Sequence, residues 1–186
     1  MQTFLPWPSF KASARDLDAK RLGKQRVETL QLLNSSIEGL TDRRAGWFNH
    51  PARAMWQHHE AALALYGLTI CEEWSSRGYS DSCYEKIANA YSRFVRKASS
   101  LCVVTRAPNW LPLWFMDDEV FDSHRCALFH KDQQHYGDYA GTFTSSEYYW
   151  PGPEDLSAFS SYSPNNDEVS VDGYRRILAI YQEGIS

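Results

Sequence analysis

The sequence predicts an all-α protein, and three observations lead to that prediction. Apolar residues recur at helical spacing in several long segments, whereas strand-like alternation is weak along the whole chain. Proline, glycine and N-capping residues stand where these segments begin and end. With 186 residues, of which 43% are hydrophobic, the chain is long enough to bury a core. We therefore expect a single compact helical domain with a long irregular C-terminal region.

Five helices are predicted, and their approximate ranges are 12–37, 49–76, 82–98, 117–131 and 170–183. The first is expected to begin near Ser9 or Ser13 and to end at Gly39. In the second, Asn49 is the expected N-cap and Pro51 lies in the first turn. Residues 1–151 are expected to form the helical domain. Residues 152–186 are an acidic extension, packed on that domain or trailing from it.

The charge is distributed unevenly along the chain. The formal net charge is −4, but residues 147–186 alone carry −5 and the preceding residues carry +1. Within residues 11–26 the local charge is +4. A basic stripe on a nearly neutral body is compatible with a nucleic-acid partner, although a solvated charged helix explains it equally well.

Compartment and cofactors are predicted mainly from what the sequence lacks. It contains neither an uninterrupted apolar run of membrane-spanning length nor a signal-peptide pattern. The four cysteines are widely spaced without a CxxC pair, which is typical of reduced thiols. We expect a monomeric cytoplasmic protein that needs no cofactor and no metal.

The first helix has a polar face and an apolar face. At 100° per residue, one side carries Arg21, Lys24, Gln25, Glu28 and Gln31. The opposite side carries Leu22, Val27, Leu30, Leu33 and Ile37. Arg26 falls among the apolar positions and therefore either extends its charge to solvent or has a carboxylate partner. Gly23 indicates a close approach to the helix, either by a sugar–phosphate or by another helix.

Several separated blocks resemble one known family. They are RLGKQRVE, NHPARAMWQHHEAALALYGLTICEEWSSRGYSD, SHRCALFHKDQQHYGDY and YYWP. In order and spacing they are similar to a bacterial and phage family of pyrimidine-dimer DNA glycosylases, distant relatives of phage endonuclease V. The resemblance covers roughly residues 1–151. It implies an all-α fold, duplex DNA with a damaged or modified pyrimidine as substrate, and base excision by an N-terminal α-amine, with strand nicking through an imine.

The resemblance also implies which residues carry the chemistry. In the phage enzyme a glutamate follows the helix arginine, whereas Leu22 follows Arg21 here, so Glu28 is the nearest candidate carboxylate and Asp18 the second. Because the large side chain of Gln2 disfavours removal of the initiator methionine, the Met1 amine is the expected nucleophile. The predicted catalytic residues are Met1, Glu28, Arg21 and Lys24. The predicted DNA-binding residues are Gln25, Arg26, His50, Arg53, Trp56, His124, Arg125, Lys131 and Tyr136.

When a base is extruded from the duplex, its neighbours lose a stacking partner, and aromatic side chains can replace it. The candidates are Trp7, Trp47, Trp56 and the Tyr148–Trp150 run. Two alternatives to a glycosylase stay open at this point. One is a DNA-binding protein without catalysis. The other is a helical metal-dependent hydrolase that uses the histidines, although no HExxH or comparable ligand spacing is present.

Overall fold

The fold is helical, as the sequence predicts. The computed structural model describes residues 2–42, 46–107, 111–143, 148–152 and 169–185. Its helices are α1 (Phe10–Asp16), α2 (Ala19–Gly39), α3 (Pro51–Met55), α4 (Glu60–Ser76), α5 (Tyr84–Ser100), α6 (Asp118–Lys131) and α7 (Val171–Ile185). Two short 3₁₀ turns cover Leu113–Met116 and Gly137–Tyr139. No strand occurs in the described ranges, so the all-α prediction is confirmed.

The single helix predicted over residues 12–37 is in fact two helices. The Ser9 side chain caps α1, and the chain becomes extended at Leu17. Asp18 then starts α2, because its carboxylate accepts hydrogen bonds from the Lys20 and Arg21 amides. A side chain that caps a new helix favours a break in the preceding helix. The spacing of apolar residues does not reveal such a break.

The helix predicted over residues 49–76 is also divided. His50, and not Asn49, is the N-cap, since its Nδ1 accepts a hydrogen bond from the Ala52 amide at 3.1 Å. Pro51 lies in the first turn, as predicted. After Met55 the chain leaves the helical path and His58 adopts a φ of 69°, a left-handed conformation that a β-carbon disfavours. α4 begins only at Glu60.

The centre of the domain is α4. Every residue from Glu60 to Cys71 is buried, so this helix is surrounded on all sides. α1, α2, α5 and α7 pack against it. Next to it lies an aromatic cluster of Phe10, Trp56, Tyr66, Trp114 and Phe115. The last helix, α7, belongs to the acidic C-terminal extension and packs on α4 and α5, whereas residues 153–168 of that extension lie outside the described ranges.

Helix packing explains two anomalies in α2. A β-carbon on Gly23 would lie 3.0 Å from the Trp74 ring of α4, so the glycine serves helix packing. Arg26 pairs with Asp81 at 2.5 Å, and its guanidinium carbon lies 4.1 Å from the centre of the Trp74 ring. The carboxylate partner that the apolar position of Arg26 requires is therefore present. Val27 departs from the prediction, because 44% of its surface is exposed.

Among the described residues, none of the helices has both the length and the apolar character needed to cross a lipid bilayer. The four cysteines are all unpaired, and Cys102 alone among them is exposed.

The crossing of α2 and α4 gives the first testable prediction. A β-carbon on Gly67 would lie 2.5 Å from Thr29 Cγ2 and 3.0 Å from Ile87 Cδ1. We expect Gly67→Ala to lower the free energy of unfolding by about 1–3 kcal/mol through overpacking, although alanine is the better helix former. Urea unfolding followed by circular dichroism measures this loss. Gly137→Ala is the matched control, since no atom lies within 4 Å of its β-carbon position. Equal stability of the two variants would contradict the tight crossing.

Candidate functional site

The N-terminal segment, residues 2–6, lies against the polar face of α2 at Gln25 and Glu28. The Gln2 amide donates to Glu28 Oε2 at 3.2 Å, and the Phe4 amide donates to Gln25 Oε1 at 2.9 Å. The Tyr66 hydroxyl lies within hydrogen-bond distance of both Gln25 Oε1 and the Phe4 carbonyl. The backbone N–H and C=O groups of a segment outside helices need hydrogen-bond partners, and here polar side chains of α2 and α4 provide them.

Other elements hold the remaining residues of this segment. The Trp56 indole donates to Thr3 Oγ1 at 2.9 Å, and the Leu5 amide donates to His124 Nδ1 at 3.0 Å. The Arg125 guanidinium donates to the Pro6 carbonyl at 2.6 Å. Residues 2–6 are therefore each fixed by at least one polar side chain, and these side chains come from α2, α4, α6 and the turn after α3.

Glu28 is the buried carboxylate of this region. Only 6% of its surface is exposed, although the helical wheel places it on the polar face. Gln25 Nε2 donates to Oε2 at 3.2 Å, and Lys24 Nζ lies 3.4 Å from Oε1. Burial, followed by the negative charge of Glu28, raises the pKa values of the Tyr66 and Tyr148 hydroxyls. Glu28 thus combines low solvent access with a neighbouring cation and two N–H donors.

Met1 lies outside the described residues, so the predicted nucleophile is not placed directly. The nearest described atom of the main chain is the Gln2 nitrogen, which is hydrogen-bonded to Glu28 as stated above.

His124 lies beneath the same segment and is fully buried. Its Nδ1 lies 3.0 Å from the Leu5 amide nitrogen and 3.2 Å from the Leu5 carbonyl oxygen, and its buried Nε2 has no partner among the described residues. Burial lowers the pKa of His124 to about 4. The Tyr148 ring packs edge-on against it with a centroid separation of 6.2 Å. In this environment His124 is a neutral anchor for the segment and does not present a charge to solvent.

Arg21 joins α2 to the end of α6. Its guanidinium contacts Asp18 at 3.0 Å, Asp132 at 3.2 Å and the Lys131 carbonyl at 3.0 Å. The Tyr136 hydroxyl completes the network by donating to Asp18 at 2.6 Å. Burial alone raises the pKa of Asp18, but the hydrogen bonds from Tyr136 and Arg21 outweigh it and the net shift is downward.

Two further arginines predicted to contact DNA make internal contacts. Arg26 pairs with Asp81, as described above. Besides its bond to the Pro6 carbonyl, Arg125 pairs with Asp122 and lies 5.1 Å over the Trp7 ring. In both arginines the side chain is 13% exposed.

The exposed cations around the N-terminal segment are lysines. Lys24 has 70% of its side chain exposed on one side. Lys131 is exposed at the end of α6, with its Nζ 6.0 Å from the centre of the Phe4 ring. Lys20 is exposed at the start of α2. Lys24 and Lys131 thus lie beside the segment and Glu28, and Lys20 is exposed eight residues before Glu28 on the same helix; these three lysines are termed the lysine flank below.

The helix spacing of His50, Arg53 and Trp56 does not place them on one surface, because α3 ends at Met55. His50 caps α3, and its ring packs edge-on against Trp47 and Trp150. Arg53 is 8% exposed and Trp56 only 1%, so Trp56 belongs to the core. Trp47, by contrast, is 57% exposed and remains available for stacking.

The sequence analysis missed Thr3 and Tyr66. Both are fully buried, and both hydrogen-bond within this region. A signal existed for each, since Thr3 is the polar residue in the apolar stretch TFL and Tyr66 brings a hydroxyl into an Ala/Leu-rich helix. A buried tyrosine hydroxyl usually has a specific partner. Elsewhere, no group of three His, Cys, Asp or Glu side chains in the described ranges is arranged to hold a metal ion.

Comparison with known proteins bears on the same part of the chain. The model of the family described as pyrimidine dimer DNA glycosylase matches residues 1–86. For these residues the resemblance found in the sequence is confirmed. The matched region contains the N-terminal segment, Gln25 and Glu28, whereas α6 lies beyond it. No curated protein and no solved structure matches the chain.

The burial of His124 predicts a specific pH dependence of stability. Its pKa is about 4 in the folded protein and 6.5 ordinarily, so between these values the unfolded state binds the additional proton. The contribution to stability is complete above pH 6.5 and declines as the pH falls toward 4. Between pH 7 and pH 5 it amounts to about 2 kcal/mol.

We therefore expect His124→Asn, which keeps an acceptor for the Leu5 amide, to lose that part of the pH dependence. Urea unfolding of wild type and variant at the two pH values measures the difference. His130→Asn, at an exposed position of the same helix, is the control and should behave as wild type. An unchanged pH dependence in His124→Asn would mean that the ring already carries a proton when folded.

Proposed function

We propose that this protein is a DNA glycosylase that removes a damaged or modified pyrimidine from duplex DNA, with the Met1 α-amine as nucleophile and Glu28 as its carboxylate. One observation carries the proposal: the Gln2 amide is hydrogen-bonded to the buried Glu28 at 3.2 Å. Three covalent bonds join that nitrogen to the α-amine, so the amine stays within ~4 Å of it. The family match over residues 1–86 supports the same activity.

An α-amine suits this reaction because much of it is unprotonated at neutral pH. With a reference pKa near ~7.7–8.0, about a tenth is neutral at pH 7, whereas a lysine near ~10.4 is almost wholly protonated. Lys24, the nearest side-chain amine to Glu28, is exposed and needs a much larger change of environment to act as nucleophile.

In the proposed step, the amine lone pair forms a bond to C1′ of the deoxyribose. The bond between C1′ and the base nitrogen breaks, and its electron pair leaves with the base, which takes up a proton from water. Glu28 accepts the proton that the amine loses and stabilises the positive charge that develops on the sugar. Its low exposure strengthens this effect, because water screens the charge only weakly. Opening of the sugar ring then leaves an imine between protein and DNA.

The lysine flank is the proposed contact surface for the DNA backbone. Lys24 lies beside the covered carboxylate, Lys131 lies near the Phe4 ring, and all three lysines are exposed. A hydrated ammonium on a flexible stem suits phosphate contacts that carry no sequence information. Trp47 is the exposed aromatic residue closest in sequence to the His50 cap, and it offers a ring on which a base can stack.

Borohydride trapping tests the chemistry. Duplexes that each contain one modified pyrimidine or one cyclobutane dimer are incubated with the protein and sodium borohydride. Released bases are identified by mass spectrometry, for the dimer after photoreversal of the cyclobutane ring that otherwise keeps the cleaved base attached. We expect a covalent protein–DNA species with at least one duplex, lost after reductive methylation limited to the α-amine. Glu28→Gln should slow base release about 10²–10⁴-fold.

Glu38→Gln, at an exposed position of the same helix, is the matched control and should retain full activity. Lys24→Ala should still be trapped. Trapping that disappears only in Lys24→Ala would assign the nucleophile to that side chain, and salt-dependent binding without any base release would indicate a DNA-binding protein without catalysis.

The salt dependence of DNA affinity tests the lysine flank. Each phosphate contact contributes about −0.9 to the slope of log K against log salt concentration on duplex DNA. We expect Lys131→Ala and Lys20→Ala each to make this slope less steep by about that amount for every phosphate contacted. Fluorescence anisotropy at several salt concentrations measures it. Lys86→Ala, at an exposed position of α5, should leave the slope unchanged. A change in that control equal to the change in Lys131→Ala would refute a localised binding surface.

A further inference from the structure

A cavity lies at the C-terminal end of α2. Its volume is about 350 Å³, within the ~300–1,000 Å³ range of small-molecule sites. The walls come from the end of α2, the turn between α3 and α4, and α5 with the residues after it. Polar groups of Ser36, Arg53, Gln57 and Glu60 share the lining with Phe48 and Phe94. Ser36 is eight residues from Glu28 along the same helix, a distance of ~12 Å along the helix axis, so this cavity is separate from the proposed active site.

Arg53 is the central feature of the cavity. It is 8% exposed, and its guanidinium carbon lies 4.2 Å from the centre of the Phe48 ring. Its one hydrogen bond within the described ranges runs from Nη1 to the Phe48 carbonyl, at 3.3 Å, and the buried Nε atom has no partner there. A guanidinium has five N–H donors, so most of its capacity is unused.

Glu60 compensates this charge only in part. It is 6% exposed and lines the same cavity, and its charge acts on Arg53. These two described side chains nevertheless form no ion pair at 4.0 Å or less. Burial raises the pKa of Glu60, whereas backbone hydrogen bonds and the charge of Arg53 act in the opposite direction. The cavity wall therefore holds a largely buried guanidinium whose Nε has no partner and which has no close carboxylate among the described residues, an arrangement that native proteins normally satisfy with a ligand or ordered water.

We propose that this cavity binds a small anionic molecule of nucleotide size, whose oxyanion accepts hydrogen bonds from Arg53 and whose flat ring packs against Phe48 and Phe94. The planar fork of arginine matches phosphate and carboxylate oxygens. Gln57 and Ser36 supply further hydrogen-bonding groups at the wall, and the two phenylalanines supply the apolar faces that a ring needs. The proposal is independent of the glycosylase activity.

Isothermal titration of the full chain tests this site with four probes: dTMP, orotate, thymidine and inorganic phosphate. We expect saturable binding of one molecule of dTMP or orotate per chain, the first indicating a phosphate ligand and the second a carboxylate. Thymidine, which has no anionic group, should bind at least ~10-fold more weakly. Arg53→Lys keeps the charge but loses the planar fork and should weaken binding ~10–100-fold.

Arg93→Lys, at an exposed position of α5, is the matched control and should bind as wild type. A measurement on the wild-type protein removes any dependence on folding of the variant: the Nε–H signal of Arg53 in a nitrogen-15 spectrum should shift on titration with the bound probe. The proposal is overturned if neither dTMP nor orotate saturates, or if Arg53→Lys binds as tightly as wild type. A bound probe that leaves the Arg53 signal unmoved would also overturn it.

Discussion

The structure depends on the contact between the N-terminal segment and two polar residues of α2. Glu28 is almost entirely removed from water, and a buried carboxylate is stable only with hydrogen-bond donors or a cation nearby. The Gln2 amide and the Gln25 side chain are those donors, and Lys24 is the cation. The same bonds fix the register of the segment on the helix. They therefore decide where Thr3, Leu5 and the side chains that bind them must lie.

Much of the fold follows from sequence periodicity, and the deviations have specific causes. α5, α6 and α7 lie within about two residues of their predicted ranges. α5 and α7 pack on α4 and on each other, and α6 packs on the two 3₁₀ turns. The first two predicted helices each contain a break that periodicity does not reveal. At Asp18 a side chain starts a new helix, and near His58 the burial of Trp56 accompanies a left-handed residue. Both breaks depend on tertiary contacts with residues far along the chain.

At the candidate site, the sequence pattern predicts the position of Glu28 on the helix but not its burial. The helical wheel identifies Glu28 as the carboxylate of a polar face, and a polar face ordinarily faces solvent. In the structure the part of this face at Gln25 and Glu28 is covered by the N-terminal segment, whereas Lys24 on the same face stays exposed. A helical wheel describes one helix in isolation, so it cannot show that a separate segment of the chain packs on that helix. Whether a polar residue is solvated or buried against backbone is decided by topology.

Arginines and lysines have different surroundings in this protein, and the difference bears on the proposed contact with DNA. Four arginines were predicted as site residues, Arg21 as catalytic and Arg26, Arg53 and Arg125 as DNA-binding. In the structure each donates to a carboxylate or a carbonyl within the domain. The planar guanidinium can make several such bonds at once, whereas a strongly hydrated ammonium gains more by staying in water. Arginines therefore hold the elements together, and the lysine flank stays exposed for the proposed contacts with phosphates.

The anchoring of the N-terminal segment favours the α-amine over a lysine as nucleophile in the proposed mechanism. Because residues 2–6 are each held by a side chain of the domain, the backbone that carries the α-amine is fixed up to the Gln2 nitrogen. Only the rotations of one residue then remain to be restricted when the amine approaches C1′. Holding a nucleophile close to its target beforehand lowers the entropic part of the barrier. A lysine at the end of four rotatable bonds would begin from a far larger set of conformations, so the covered segment gives the chain terminus an advantage that no exposed side chain of α2 shares.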